Sequence, residues 1–224
     1  NLNLAGCSSM HILDVAKNVA LVNLNVGGTS LETLDVINNQ ALNSLDVSNN
    51  DLLTNLNVST IVKLIVSKGL SSSIYQVGQY VSIEGFLGVV CFHGGSVVKI
   101  VSKDETKAQW GYDGTTMRAD SNVYGVSNTD KIVMGSPAAR WCRAKGAPWY
   151  LPSRNELKAI YNNKSKLNAT LTSPSVSGTQ FGTDTYWSST EADYDYAFGI
   201  YFSSGNINRD YKNRTYSVRA VRAL

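Results

Sequence analysis

The chain has 224 residues, 43% of them hydrophobic and 17% charged. That is enough apolar material for one large domain or two small ones, and too little charge for a disordered chain. A net charge of +3 is too weak to single out nucleic acid as a partner, and no apolar run approaches the ~20 residues that a membrane-spanning helix requires.

The chain starts at Asn1 with no Met or signal peptide before it, which reads as a processed or trimmed form. Its three cysteines (Cys7, Cys91 and Cys142) and two histidines (His11 and His93) are scattered. Neither a disulfide framework nor a zinc knuckle is expected from such spacing. No metal site and no cofactor are expected.

Residues 1–70 repeat. Triplets of the type Leu-Asn/Asp-Val begin at Leu13, Leu24, Leu34, Leu45 and Leu56, with Leu2-Asn3-Leu4 before them and Leu64-Ile65-Val66 after. The leading leucines step by 11, 11, 10, 11, 11 and 8 residues. Turn residues such as Gly27-Gly28, Asn38-Asn39 and Ser48-Asn49-Asn50 separate the units. Two units make a coil of about 22 residues, and coils of that size bury their leucines only by stacking. The spacing predicts a short β-solenoid of about three coils, ending at Val66, with further coils before Asn1. The charge changes where the repeats stop: residues 1–70 carry a net −2 and residues 71–224 a net +5. Ser71-Ser72-Ser73 is a short joint.

The second part does not repeat. Gly88–Phe92 and Val97–Val101 are β-rich runs around His93-Gly94-Gly95, a hairpin signal. Ser136-Pro137 predicts a helix start and Gly146 its end. Ser153-x-x-Glu156 predicts a second helix through a capping box, with Leu157, Ile160 and Tyr161 on its buried face. In Ala197–Phe202, Phe198, Ile200 and Phe202 are predicted to point inward, Gly199 and Tyr201 outward. Val218–Arg222 reads as a closing strand. Two helices among short strands make an α+β domain.

The ordered set Trp149-Tyr150-Leu151-Pro152-Ser153, Glu156-Leu157, Tyr186-Trp187-Ser188-Ser189-Thr190, Ala197-Phe198, Gly205, Lys212 and Val218-Arg219-Ala220-Val221-Arg222 resembles a bacterial C-type-lectin-fold family. That family includes the variable proteins of diversity-generating retroelements and their invariant paralogues in gut Bacteroidetes, and its scaffold is similar to formylglycine-generating enzymes. The Leu-Asp-Val-Ser-x-Asn units of residues 1–70 resemble the leucine-rich repeats of surface proteins from the same bacteria. The resemblance implies an α+β, C-type-lectin-like ligand-binding domain at 71–224 preceded by a leucine-rich-repeat solenoid at 1–70. It also implies that Trp187 anchors the core, that Arg219 and Arg222 hold the framework, and that outward residues near the C-terminus bind the ligand.

Six of the chain's 12 tyrosines lie between 186 and 216. Tyrosine gives a large rigid contact area with a hydroxyl at low entropy cost. Tyr186 and Tyr216 read as half-buried strand residues. The expected ligand-binding set is Asp193, Tyr194, Tyr196, Tyr201, Asn206, Asn208, Asp210, Tyr211 and Asn213. Other signals are set aside. Asp193-x-Asp195 reads as a solvated loop rather than a cation site. Gly111-x-x-Gly114 lacks the Lys and helix start of a phosphate loop. The calcium-binding triplets of animal C-type lectins are missing, as are C-terminal reactive cysteines. The expectation is a non-enzymatic adhesin or receptor, on the cell surface or secreted, with a protein or glycan ligand on a host, phage or neighbouring cell and no nucleic-acid partner. The alternatives are a tip or stalk subunit of a surface fibre, or an enzyme on the formylglycine-generating scaffold.

Overall fold

A computed structural model describes residues 1–59, 62–67 and 71–224. The expected domain boundary at residue 70 lies outside the described residues. The chain folds into two compact units: residues 1–99 with 166–178 and Leu224, and residues 100–165 with 179–223.

The first unit is built on a β-solenoid-like stack. Strands β1 (Leu2–Asn3), β2 (Asn23–Asn25), β4 (Ser44–Asp46) and β6 (Lys63–Val66) pair in parallel, with Leu2 opposite Leu24, Leu24 opposite Leu45 and Leu45 opposite Leu64. On the other side of the coil β3 (Thr33–Asp35) pairs with β5 (Asn55–Asn57), Leu34 opposite Leu56. Leu24, Leu34, Leu45, Leu56 and Leu64 are all buried, which is what a stack of coils of this size requires. The Leu13 triplet, predicted as a strand, is irregular.

The polar second residue of several triplets turns the corner. Asn25, Asp35 and Asp46 each accept, through Oδ1, the backbone N–H two residues on, at 2.9, 3.0 and 2.9 Å. Buried amides then tie coil to coil. Asn39 Nδ2 donates to the carbonyls of Val15 and Asn18, each at 2.9 Å, and Asn50 Nδ2 to that of Val26 at 2.8 Å. Each amide thus satisfies backbone groups that burial would otherwise orphan.

The leucine period stops at Val66, but the parallel sheet does not. Strand β7 (Tyr80–Ile83) pairs in parallel with β6, Leu64 opposite Val81. Gln79, fully buried, donates to the carbonyl of Val62 at 2.9 Å and takes the role of the corner asparagines. Only then does the direction reverse. Glu84 and Gly85, both at positive φ, turn the chain into antiparallel β8 (Phe86–Gly94), Tyr80 opposite Val89. β9 (Val97–Val101) follows beside β8, as the hairpin signal predicts.

The second unit carries a five-stranded sheet in the order β10-β14-β11-β12-β13: β10 (Thr106–Gln109), β14 (Thr215–Val218), β11 (Thr185–Glu191), β12 (Tyr196–Tyr201) and β13 (Ile207–Tyr211). β11 and β14 run parallel; the other neighbours are antiparallel. Two helices lie where the sequence places them. α2 (Pro137–Arg143) is capped by Ser136, whose hydroxyl accepts the Ala139 N–H at 3.1 Å. α3 (Arg154–Asn162) opens on the full Ser153–Glu156 capping box and buries Leu157 and Ile160.

Four helices are described, not the expected two. α1 (Gly125–Ile132) has no side-chain cap; its buried Asn128 and Thr129 instead bond to Ser121 and to the Leu151 carbonyl, so it forms by tertiary contact. α4 (Lys164–Leu171) follows α3 after the single residue Asn163. The closing strand is also two pieces, β14 and β15 (Val221–Ala223), broken at Arg219-Ala220. Phe198, expected inside, is half-buried beneath the Arg154 guanidinium, 4.8 Å from its ring centroid.

Candidate functional site

β12 and β13 form a hairpin whose turn needs Gly205. Its φ is +77°, and an added Cβ would fall 2.2 Å from the Tyr161 ring. The turn fixes the register: Tyr196 opposite Tyr211, Phe198 opposite Arg209, Gly199 opposite Asn208. Because opposed residues share a face, this register sorts the nine expected ligand-binding residues into three groups rather than one patch.

On one face, Tyr196 and Tyr211 pack ring to ring at 4.5 Å, and the Arg209 guanidinium lies 4.6 Å from the Tyr196 centroid. Arg209 also pairs with Asp193. The other Asp193 oxygen accepts the amides of Asp195 and Tyr196 at 3.0 and 2.9 Å. Burial would raise the Asp193 carboxyl, but those amides and the guanidinium together hold it below its ordinary value. The Tyr211 hydroxyl, with burial second, pushes Tyr196 up to about 12.

The opposite face holds Tyr201, Asn208 and Asp210. Tyr201 is exposed and Asn208 buried. Asp210 accepts the Tyr216 hydroxyl, and Tyr216 packs on Trp187 at 4.7 Å. Burial first and Asp210 second push Tyr216 up to about 12. Asn206 lies just before β13 and is exposed; its carbonyl accepts the Tyr201 amide at 3.0 Å. Trp187 is fully buried and donates through Nε1 to the Arg214 carbonyl at 3.3 Å.

The third group lies at the end of the hairpin, where three loops are laced together. Tyr194 is 58% exposed. Asn213 donates its backbone amide to Asp113 at 3.3 Å and also bonds it through Nδ2. The Gly114 amide donates to Asp195 Oδ1 at 2.9 Å, and the Thr115 amide to the Tyr194 carbonyl at 3.1 Å. Tyr112 is 65% exposed on that same loop. Beneath them Lys212, with no exposed side chain, donates to Glu191 Oε1 and the Thr115 carbonyl, each at 2.6 Å, and to the Tyr194 carbonyl at 2.9 Å.

Sequence reasoning missed Tyr112, Asp113, Arg209 and Glu191. Gly111-Tyr112-Asp113-Gly114 is a turn segment that carries an exposed aromatic. Arg209 could have been found from strand alternation with Tyr211. Nothing local marks Glu191, whose partner is 21 residues away.

The framework residues are fixed from below. Arg219, buried, donates to the carbonyls of Ser102 and Thr179 at 3.0 and 2.6 Å and to Glu105 at 2.9 Å. Tyr186, also buried, donates to Glu105 at 2.6 Å, and burial first, then that carboxylate, raises its hydroxyl. Cys142 is buried in α2, and burial pushes its thiol well above the ordinary range, the opposite of an activated nucleophile. Among the described residues no group of three or more His, Cys, Asp or Glu is placed to hold a metal ion, and no helix is long and apolar enough to cross a membrane.

Residues 99–222 match the family described as the Lcl C-terminal domain. A solved fimbrial protein from Bacteroides ovatus is similar at 21% identity and a TM-score of 0.45, over 58% of this chain and 36% of that one. The chain therefore spans little more than a third of that protein's length. No curated protein matches the sequence.

Proposed function

The chain belongs to the Lcl C-terminal domain family, and from that membership and the loop geometry we propose that its second unit is a non-enzymatic, C-type-lectin-like recognition domain. The stack before it is a leucine-rich-repeat spacer or second interaction surface, and the protein works outside the cytoplasm as an adhesin or receptor. One observation supports the reading above all. Tyr194 and Tyr211 stand exposed at the loop end of the hairpin, and Tyr201 stands exposed on its other face, all on segments whose other groups are pinned to a buried framework. Rigid exposed rings lose little entropy on contact and exclude water well.

Asp193, Tyr196 and Asn213 stand with the loop-end rings, and Asn206, Asn208 and Asp210 with Tyr201 on the other face. Asp193, with Arg209, and Asn213, with Asp113, hold the loops while keeping exposed edges. On the face that carries Tyr201, Asp210 accepts the Tyr216 hydroxyl and Asn208 is buried. A few of the rings would dominate binding. The buried, poorly acidic Cys142 thiol weighs against thiol chemistry on this scaffold.

The test is a screen of the chain on host-protein and glycan arrays beside the variant Tyr194→Ala/Tyr201→Ala/Tyr211→Ala. The reading expects hits for the wild-type chain that the variant loses by at least tenfold, with a melting temperature within a few degrees. Hits that survive in the variant would contradict it, as would turnover of a thiol or peptide substrate that Cys142→Ala abolishes.

A further inference from the structure

A buried ion pair is an odd thing to find under an exposed loop cluster. Lys212 and Glu191 have 0% and 3% of their side chains exposed. Taking two charges out of water costs several kcal/mol per ion, and apolar residues of similar volume often stabilise a fold as well or better. What an apolar pair cannot do is bond to backbone, and this pair does little else. The three ammonium hydrogens go to Glu191, to the Thr115 carbonyl and to the Tyr194 carbonyl. The Glu191 carboxylate accepts the Met117 amide, at 2.9 and 3.0 Å to its two oxygens, and the Ala119 amide at 3.3 Å. The Lys212 backbone joins in: its carbonyl accepts the Gly111 amide at 3.1 Å and its amide donates to the Asp195 carbonyl at 2.9 Å.

We propose that Lys212, with Glu191, is the positioning residue of the recognition surface, one buried cation holding the loop that carries Tyr112 and the loop that carries Tyr194 in a single geometry. Residues 111–119 and 191–195 have no regular structure of their own beyond the end of β11, and every bond just named joins one to the other or to the 211–213 turn. At this end of the hairpin the surface is then built from both loops together. Tyr112 and Asp113 belong to it although they lie 80 residues and more from the rest in sequence. The pair acts on geometry rather than on the ligand, since neither side chain reaches solvent. The inference rests on the reading above only in calling these loops a recognition surface.

Hydrogen exchange of the full chain, followed by NMR, tests it without any ligand. In the wild-type chain the amides of Gly114, Thr115, Met117 and Ala119 should exchange with one common opening free energy, because one clamp governs them. Independent exchange of the four would overturn the proposal. In Lys212→Met/Glu191→Leu, Met117 and Ala119 lose their own acceptor and are uninformative. Gly114 and Asn213 keep theirs, Asp195 and Asp113. The proposal expects these two amides to exchange at least tenfold faster while β11, β12 and α3 keep their protection. Unchanged exchange at Gly114 and Asn213 would refute it, and so would a uniform loss across the unit, which would make the pair a support of the core. An array screen without hits would count against the recognition reading and leave this result standing.

Discussion

The stack and the C-terminal unit treat polar side chains in opposite ways. In the stack, the asparagines and aspartates at the corners bond to backbone. Asn25, Asp35 and Asp46 cap the turn two residues on, and Asn39, Asn50 and Gln79 bond to carbonyls of another coil. In the C-terminal unit the polar groups divide by depth. Lys212 and Glu191 are buried and spend their bonds on loop backbone, while Tyr112, Tyr194 and Tyr211 stand exposed on or beside those loops. A surface whose polar groups are already used has little to offer a partner. One that keeps rings exposed on a pinned base is suited to binding.

The contrast can be broken most severely at the ion pair. Replacing Lys212 by Met alone leaves Glu191 buried and uncompensated, with an expected loss of about 3–5 kcal/mol, read by chemical denaturation; a loss below about 1 kcal/mol would mean that water reaches the pair in solution. In the stack, Leu45→Ala should cost about 2–5 kcal/mol through the cavity it leaves. Asn50→Ala, which strands the Val26 carbonyl and the Thr29 hydroxyl, should cost about 1–3 kcal/mol. Both are checked by the same denaturation curves, and a neutral Asn50→Ala would show that the corner amides are dispensable. Tyr194→Ala should stay within about 0.5 kcal/mol of wild type, as an exposed substitution does.

The smallest effect is one of pH. Asp193 titrates below its ordinary value, so its bonds to Arg209 and the Tyr196 amide are intact above about pH 4. They are lost only as the pH falls through the lower folded value. Carboxyl chemical shifts followed through an acid titration check this; a normal or raised value would mean that the Arg209 pair is not formed in solution.

Legibility in the sequence followed the range of the interactions. The leucine period and the Ser153–Glu156 capping box depend on residues a few positions or one coil apart, and both are plain in the sequence. The continuation of the stack through β7 was hidden because it depends on Gln79 taking an asparagine's place after the leucines have stopped. α1 was hidden because its stabilising bonds go to Ser121 and Leu151 rather than to a cap. For the candidate site, alternation marks Tyr201 as outward, as it is, but also Gly199, which is buried against β11. The division of the nine residues between two faces and a loop end needs the Tyr196–Tyr211 register that the Gly205 turn sets. The contribution of Tyr112 and Asp113 needs contacts about a hundred residues long, for which no local pattern exists.

The rings at the loop end stand in water on a fixed base. Nitration of tyrosines in the native chain, mapped by mass spectrometry over time, tests this directly. Tyr112, Tyr194 and Tyr211 should react early, and the buried Tyr75, Tyr150 and Tyr186 should react only on unfolding. If Tyr194 and Tyr211 are as protected as Tyr186, the surface is covered and the account fails.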